Sequence, residues 1–525
     1  MRPNRSFLFL APIIFLLLLQ FYLRIHNPYA LPGFVDEASH IARASIVYDF
    51  DQDPLLFSHG KLLYYYWLGI FRPGVYAELE VARWGLAIFT LLTSAFLMAV
   101  AREIAGRRAM LPALALYALA PLTVFFERTA LADPFSGGMA ALFVWQSIRF
   151  IRRPTPRYGA LVGLLAALMT LAKLNTAFLI FMPLVVILIE QGLPTNRAAF
   201  KPWFLARWKQ YARPLFCAGL VFGSIWLVLM GVSWWEKLAN NQDAILIDTY
   251  IIDQDQAPSR YADKLEDGVT AAYLFFSRPL TWGIIAGILL ALWKRPARAL
   301  IPLAWLLLFW IPNIILSPEI QPRYLMAGVP ALAALIGVSL TVLDDWLPMP
   351  RLRFRPVPIL TVIALLAWAV FFALPFAADA SSDPTKLDLL PKDYYNHFWG
   401  LQNGWGIVPA LDYLEDHAER IDNHIPLALV IYKCSMYRIH DTPLFDAECQ
   451  QGPRFTGLTP EKLHALDLWH PVESALQRWP YVYVITDYLL PTDPPPVENT
   501  EWELLYSFTR PHGGTVISSV WRVTP

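Results

Sequence analysis

The chain has 525 residues, of which 56% are hydrophobic and only 16% are charged. Its mean hydropathy is +0.41, which is far higher than a soluble protein of this length requires. The formal net charge is zero and no basic stripe is present, so nothing in the composition suggests nucleic acid as a partner. These values predict a polytopic membrane protein that is surrounded by membrane lipids.

Eleven apolar stretches are long enough to cross a bilayer. The first follows a basic N-terminus and lacks a small-x-small cleavage site, so it is predicted to be a transmembrane helix rather than a cleaved signal peptide. The shortest linkers are those at 131 and 173. The other ten stretches lie near residues 77–100, 108–126, 132–151, 157–172, 174–191, 214–234, 279–293, 298–316, 323–343 and 356–376.

Basic residues collect in alternate loops, for example in "AREIAGRR" and "RFIRRPTPR". The positive-inside rule places these loops and the N-terminus in the cytoplasm. The loop after the first helix, an acidic loop at about 236–278 and the C-terminal part are then expected outside. Residues 1–376 are therefore predicted to form a transmembrane module, and residues 377–525 an extracytoplasmic α/β domain.

The C-terminal part is polar and alternates helix-like with strand-like stretches. Cys434 and Cys449 both lie in it, 15 residues apart. Outside the cytoplasm they form either a disulfide or two buried thiols, whereas Cys217 lies in an apolar helix and is expected to pack there. The predicted strands are "IPLALVIY", "YVYVITD", "EWELLYSF" and "TVISSVWRV", the predicted helices are "GIVPALDYLEDHAERI" and "TPEKLHALDLWHPVESALQRW", and "PHGG" is a predicted hairpin turn.

Two adjacent acids, Asp36 and Glu37, follow the first helix in "LPGFVDEASHIARAS". Asp36 is predicted to be the N-cap of a short amphipathic helix on the outer membrane surface, with Ile41, Ser45 and Tyr48 on one face and Glu37 complementing the dipole. A chemical role is also open. A carboxylate that backbone N–H groups orient can still accept a proton from a substrate.

A second group of charges lies in "FFERTALADPFSGG". Glu127 and Arg128 are predicted at the outer end of one helix, and Asp133 at the outer start of the next. Because Pro134 follows Asp133, the alternative to a functional role is an ordinary N-cap with proline at the first helical position.

Three cations lie on the predicted outer side, where such residues are scarce. Lys173 in "LAKLN" and Arg323 in "QPRYLMAGVP" are at helix ends, and Lys61 precedes an aromatic segment. The helix dipole opposes a cation in a first turn, the position of Arg323, at a cost of about 0.3–1 kcal/mol. A bound anion near Arg323 would remove this cost. The alternative is that each of the three cations extends its charged end to the lipid headgroups and has no functional role.

Carboxylates and cations on one side of a membrane predict a specific chemistry. A carboxylate can take the proton of an attacking hydroxyl, and cations can stabilise a departing phosphate. Because nucleotide sugars stay in the cytoplasm, an outward-facing site would use a sugar on a lipid phosphate. Asp36, Asp133, Lys173 and Arg323 are expected to line one outward-opening cavity.

Five motifs in order also resemble a known family. "DEA", "GKLLYYYW", "ERTALADP", "AKLN" and "PRYLMAGVPALAAL" are similar to those of GT-C glycosyltransferases of the protein O-mannosyltransferase and lipid A aminoarabinose transferase type, over roughly residues 1–345. The resemblance implies a polytopic α-helical GT-C fold. It also implies inverting transfer of a monosaccharide from a polyprenyl phosphate to a hydroxyl of an extracytoplasmic lipid, glycan or protein, without an obligatory metal or other cofactor.

The resemblance further implies individual roles. The sequence departs from the family in "SHIARA", where relatives often carry a tyrosine and a second acid, so His40 is expected to alter donor or acceptor contacts. The implied catalytic residues are Asp36, Glu37 and Asp133, and the implied donor phosphate-binding residues are Lys61, Arg128, Lys173, Arg323 and Tyr324.

Three other functions remain open: a lipid-carrier transporter or flippase, an oligosaccharide ligase, and a non-catalytic scaffold for the C-terminal domain. Transporters tend to hold ionisable groups near the bilayer midplane, in two related halves of the chain. Here the charges are predicted at the outer helix ends, which favours a transferase.

Overall fold

The structure is a computed structural model. It describes residues 5–49, 58, 60–73, 78–194, 196–240, 261–316, 321–346, 359–399, 405–431, 434, 437, 443–449, 469–487, 497, 499–509 and 516–525. The chain divides into two compact units. The first comprises Met1–Pro28, Ile46–Phe71 and Arg83–Ser382, and the second comprises Tyr29–Ser45, Arg72–Ala82 and Asp383–Pro525.

Helices account for most of the described residues. Two long 3-10 helices, Leu174–Phe181 and Pro322–Gly328, and two π-helices, Ala369–Ala373 and Tyr395–Trp399, interrupt the α-helical pattern. The α-helices are α1 (Arg5–Ile25), α2 (Val35–Ile46), α3 (Leu62–Gly69), α4 (Glu78–Ala105), α5 (Arg107–Leu119), α6 (Pro121–Phe126), α7 (Ala132–Arg152), α8 (Pro156–Ala172), α9 (Met182–Gln191), α10 (Arg197–Asn240), α11 (Tyr261–Phe276), α12 (Arg278–Lys294), α13 (Pro296–Leu316), α14 (Val329–Trp346), α15 (Ile359–Trp368), α16 (Leu374–Ser382), α17 (Pro391–Tyr394), α18 (Ile407–His417) and α19 (His470–Arg478).

Several of these helices have the length and composition of membrane spans. Among the described residues six qualify, or seven if α11 and α12, which meet at a bend of 106°, act as one span. All eleven predicted stretches contain helical residues, so the polytopic helical class is confirmed, while the count of eleven stays a prediction. The six are Glu78–Ala105, Leu174–Gln191, Ala198–Val232, Pro296–Leu316, Pro322–Trp346 and Val362–Ser382.

Part of the predicted acidic loop at about 236–278 is helical, and its outward orientation stays a prediction. α10 continues to Asn240, and residues 261–276 form α11. The reason is visible in the sequence of α11, where Leu265, Val269 and Phe276 recur at helical spacing despite the acids between them. Residues 241–260 lie outside the described part of the chain.

Close helix packing in the first unit depends on small residues. Gly159 and Gly163 are four residues apart on α8 and face the backbone of α10. A Cβ atom at Gly159 would lie 2.1 Å from the carbonyl oxygen of Pro214, and one at Gly163 would lie 2.1 Å from that of Ala218. This spacing brings two helix backbones into contact, as is common between transmembrane helices.

The second unit contains a five-stranded mixed sheet with the order β2-β1-β3-β5-β4. β1 is parallel to β2 and β3, while β5 is antiparallel to β3 and β4. Every residue of β1 is buried, because helices cover parallel central strands; α19 packs on it. The strands are β1 (Ile425–Val430), β2 (Phe445–Cys449), β3 (Val482–Asp487), β4 (Glu501–Thr509) and β5 (Val516–Thr524).

All four predicted strands are confirmed, whereas β2 was missed. β2 reads "FDAEC" and lies at the sheet edge. Its alternation covers only five residues, and Asp, Ala and Glu are depleted in strands, so its sequence signal is weak. Of the two predicted helices, α18 is confirmed, and α19 begins at His470. Residues 459–468 and the predicted "PHGG" turn lie outside the described residues.

The two cysteines of the second unit form a disulfide. Cys434 and Cys449 are bonded, with their Cα atoms 5.9 Å apart. The disulfide alternative is therefore the correct one. Cys217, on α10, is half-buried and free.

Candidate active site

An ion pair joins two of the predicted site residues in the first unit. Lys173 Nζ contacts Asp133 Oδ1, and the two side chains are only 12% and 6% exposed. The N-cap prediction for Asp133 is wrong, because α7 starts at Ala132 and the extended backbone at Leu131 precedes it. Asp133 is thus the second helical residue, and its carboxylate binds a lysine rather than the helix end.

Local backbone geometry explains where Lys173 lies. α8 ends at Ala172, and Lys173 is extended, with φ −165° and ψ 126°. The Thr176 hydroxyl donates to the carbonyl oxygens of Met169, at 3.0 Å, and Lys173, at 2.8 Å. The same two carbonyl groups also accept from the backbone N–H groups of Lys173, at 3.3 Å, and Thr176, at 3.1 Å, so the hydroxyl adds a second bond to each at the end of α8. The lysine charge at this end also complements the helix dipole.

Arg323 and Tyr324 join the same group. Arg323 is the second residue of the 3-10 helix Pro322–Gly328, as its predicted first-turn position requires, and it is 8% exposed. Its guanidinium carbon lies 5.1 Å from the Tyr324 ring centroid, and Lys173 Nζ lies 4.9 Å from that centroid. Two cations therefore share one aromatic ring. Together with Asp133 they form one cluster, which is called the phosphate-site cluster after the role predicted for its basic residues: Asp133, Lys173, Arg323 and Tyr324.

Glycines allow the 3-10 helix to approach α7. Gly137 lies one turn after Asp133, and a Cβ atom there would be 3.2 Å from the Met326 carbonyl oxygen. On the other side, a Cβ atom at Gly328 would be 2.3 Å from Trp310 Nε1, and this indole N–H donates to the Leu325 carbonyl at 3.2 Å. Substitution of either glycine would displace the segment that carries Arg323.

Lys61 lies directly before α3. Its carbonyl oxygen accepts from the backbone N–H groups of Tyr64, at 3.1 Å, and Tyr65, at 3.3 Å. α3 packs on α7 through the rings of Tyr64 and Phe135, whose centroids are 5.5 Å apart. Phe135 lies two residues after Asp133, so α3 packs on the first turn of the helix that carries Asp133.

Glu127 belongs to a different, fully buried network. Arg24 at the end of α1 pairs with its carboxylate at 2.8 Å, both side chains being 0% exposed. The Tyr117 hydroxyl donates to the other carboxylate oxygen. The sequence interpretation missed Arg24, although an ionisable residue next to an apolar helix is itself a signal.

Arg128, a predicted phosphate ligand, donates to backbone. Its two terminal nitrogens bond the carbonyl oxygens of Leu23, at 2.8 Å, and Asn27, at 2.9 Å. Burial, together with the charges of Arg83 and Arg24, lowers the pKa of Arg128 to about 10, so it remains cationic at neutral pH. These contacts hold the C-terminal end of α1.

In the second unit, Glu37 rather than Asp36 caps α2. The helix starts at Val35, and the Phe34 carbonyl accepts from Ala38 N at 3.0 Å, so Phe34 occupies the N-cap position. Glu37 is 0% exposed, and its Oε2 accepts from Phe34 N at 2.9 Å, as the acid of a capping box does. The N-cap prediction for Asp36 is wrong for this reason.

The apolar stripe of α2 consists of Val35, Ala38 and Ile41, all buried. α2 ends at Ile46, so the predicted face that included Tyr48 extends past the helix. Asp36 is half-buried. It belongs to the second unit, so its predicted place in one cavity with the phosphate-site cluster stays a prediction.

Comparison with known proteins agrees with this architecture. Residues 65–207 match the family described as dolichyl-phosphate-mannose-protein mannosyltransferase. This stretch contains Arg128, Asp133 and Lys173. The family match and the fold agree with the resemblance to GT-C glycosyltransferases that the motifs predict.

Solved structures with a similar fold include ArnT from Cupriavidus metallidurans. In the apo state its TM-score is 0.56 at 13% identity, covering 98% of this chain and 97% of that one. ArnT bound to undecaprenyl phosphate gives 0.52 at 14% identity, with the same coverage. The oligosaccharyltransferase of Archaeoglobus fulgidus gives 0.50 at 15% identity, covering 92% of this chain and 70% of that one. No curated protein matches this chain in sequence.

Proposed function

We propose that this protein transfers a monosaccharide, with inversion, from a polyprenyl phosphate to a hydroxyl of an extracytoplasmic acceptor. The acceptor is a lipid, a glycan or a protein. The N-terminus of the chain is then cytoplasmic, and the second unit faces the acceptor's compartment.

Asp36 is the general base in this proposal. Its carboxylate takes the proton of the acceptor hydroxyl while the acceptor oxygen forms a bond to the anomeric carbon. The bond from that carbon to the phosphate oxygen breaks, and its electron pair leaves with the polyprenyl phosphate. Glu37 supports Asp36 by holding the first turn of α2, since its own carboxylate already accepts from Phe34.

The phosphate-site cluster stabilises the departing phosphate. Lys173 and Arg323 supply positive charge against one tyrosine ring, in a setting where little water screens them. Asp133 holds Lys173 in place. Lys61 is proposed as a further phosphate contact, whereas Arg128 is left out because its terminal nitrogens bond backbone carbonyls.

The observation that carries this proposal is the shared ring contact of Lys173 and Arg323. Lys173, Arg323 and Asp133 together carry a surplus of one positive charge. The monoanionic phosphodiester of a polyprenyl-phosphate sugar would neutralise that surplus, and the two cations would stabilise the second negative charge that develops as the phosphate leaves. The undecaprenyl phosphate bound to ArnT, a protein of the same fold, supports a lipid carrier as the source of the phosphate.

The decisive experiment is a transfer assay with purified protein and a panel of labelled polyprenyl-phosphate sugars. Asp36→Asn should lower kcat by about 10²- to 10⁴-fold, the usual contribution of a general base, and leave binding of undecaprenyl phosphate unchanged. Asp49→Asn is the matched control, because Asp49 is an exposed acid just after α2. Its activity should equal that of the wild type.

Three outcomes would contradict the proposal. A folded Asp36→Asn protein that transfers sugar at the wild-type rate removes Asp36 as base. Translocation of the labelled carrier across liposomes without transfer identifies a flippase. Transfer that requires a pyrophosphate-linked oligosaccharide identifies a ligase.

A further inference from the structure

The second unit combines the C-terminal sheet with α2, which lies more than 330 residues earlier in the chain. One contact between them is aromatic. The rings of Phe34 and His397 have centroids 4.9 Å apart and planes inclined by 38°. Both residues are buried, with exposures of 1% and 5%. The residue before α2 is therefore packed on the C-terminal part of the chain.

Phe34 determines where α2 begins. Its N–H is bound by Glu37 and its carbonyl by Ala38, so its position sets the first turn. Asp36 lies in that turn, two residues later. A displacement of the Phe34 ring would move the backbone that carries the Asp36 carboxylate.

His397 is held from the other side. It lies in the π-helix Tyr395–Trp399, and its carbonyl accepts from Trp405 Nε1 at 2.7 Å. The next residue, Gly406, accepts from the Ser518 hydroxyl of β5 at 2.7 Å. A continuous series of contacts thus joins the sheet to Phe34. Short π-helices are frequent at functional sites.

We propose that His397 is a positioning residue: through Phe34 it fixes the first turn of α2 and thereby the direction of the Asp36 carboxylate. This inference rests on the proposed function, in which Asp36 is the base. The positioning role gives the second unit a part in the chemical step rather than in binding the lipid phosphate. Misplacement of a reacting group by about 1 Å can cost about 10²-fold in rate.

The test compares three variants. His397→Ala removes the ring and should lower kcat at least about tenfold with the KM for the donor unchanged, because the group is displaced rather than the donor site lost. His397→Phe keeps an aromatic ring and should retain most of the activity. His417→Ala is the matched control, since His417 stacks on Tyr413 at 4.5 Å in the same unit. It should behave as the wild type.

Hydrogen exchange gives a second readout that needs no sugar donor. The amide of Ala38, which closes the first turn on Phe34, should exchange faster in His397→Ala than in His417→Ala. If His397→Ala fails to fold, Phe34→Leu takes its place, because leucine keeps the contact apolar but removes the ring that His397 packs on. The same loss of kcat and the same faster exchange of the Ala38 amide are expected.

Any of three results would overturn the positioning role. The first is a His397→Ala protein with wild-type kcat and unchanged exchange of the Ala38 amide, and the second is a His397→Ala protein in which only KM changes. The third is a loss of kcat in His397→Phe as large as that in His397→Ala. Asp36→Asn, assayed beside them, separates the two proposals. If Asp36→Asn is fully active, the base assignment fails while the exchange data still decide how α2 is held.

Discussion

The two aspartates of the proposed site occupy equivalent positions in different surroundings. Asp36 and Asp133 are each the second residue of a helix, α2 and α7. Asp133 is buried and paired with Lys173, whereas Asp36 is half-buried and the neighbouring Glu37 satisfies the helix end. Asp133 is therefore committed to a cation and suited to orienting it. The proposed function assigns acceptance of the proton to Asp36, which is the less deeply buried of the two.

The largest effect is expected from breaking the buried pair. Lys173→Met should lower the free energy of unfolding by about 3–5 kcal/mol, because it leaves the Asp133 carboxylate buried without its partner. Lys173→Met combined with Asp133→Asn should recover much of that loss. Denaturant unfolding in detergent micelles measures both. If the loss in the double variant equals the sum of the losses in Lys173→Met and Asp133→Asn alone, the pair contributes no coupling energy.

The disulfide should stabilise the unit that contains Asp36 and not the unit that contains Asp133. Cys434→Ser removes the disulfide, which closes a loop of 15 residues. In the loop-entropy description, this should lower the free energy of unfolding by about 3 kcal/mol. The measurement is thermal unfolding followed by hydrogen exchange in the two units. Cys217→Ser is the control, and a shift of similar size there would argue against a local effect.

Arg128 and Arg323 should respond differently to the same substitution. Arg128→Gln should lower the free energy of unfolding by about 2 kcal/mol, since two charged hydrogen bonds to the end of α1 are lost, with little change in affinity for undecaprenyl phosphate. Arg323→Gln should weaken that affinity and change stability less. Titration with the lipid phosphate distinguishes them. Equal affinity losses would return Arg128 to the phosphate site.

The smallest effect concerns the cap of α2. Glu37→Ala should cost about 1 kcal/mol, the usual value of a helix cap, and should lower kcat far less than Asp36→Asn. A transfer assay and an unfolding curve on the same preparations test both parts. A loss of activity as large as that of Asp36→Asn would instead make Glu37 the base.

Much of the architecture was predictable, because it depends on local pattern. Apolar stretches of spanning length predicted helices, and four strands were visible as apolar runs between turns. β2 was not, since "FDAEC" is short and three of its five residues are depleted in strands. The bent and broken helices were missed too, because their breaks depend on neighbours as much as on sequence.

For the site, the residue types were predictable and their partners were not. Carboxylates and cations at helix ends indicated phosphate and proton chemistry from sequence alone, because such charges are costly beside a membrane and are kept there for a reason. Only the tertiary structure decided that Lys173 and Arg323 share the ring of Tyr324, that Arg128 holds α1, and that His397 packs on Phe34. These contacts join residues far apart in the chain, and side-chain packing in three dimensions selects them.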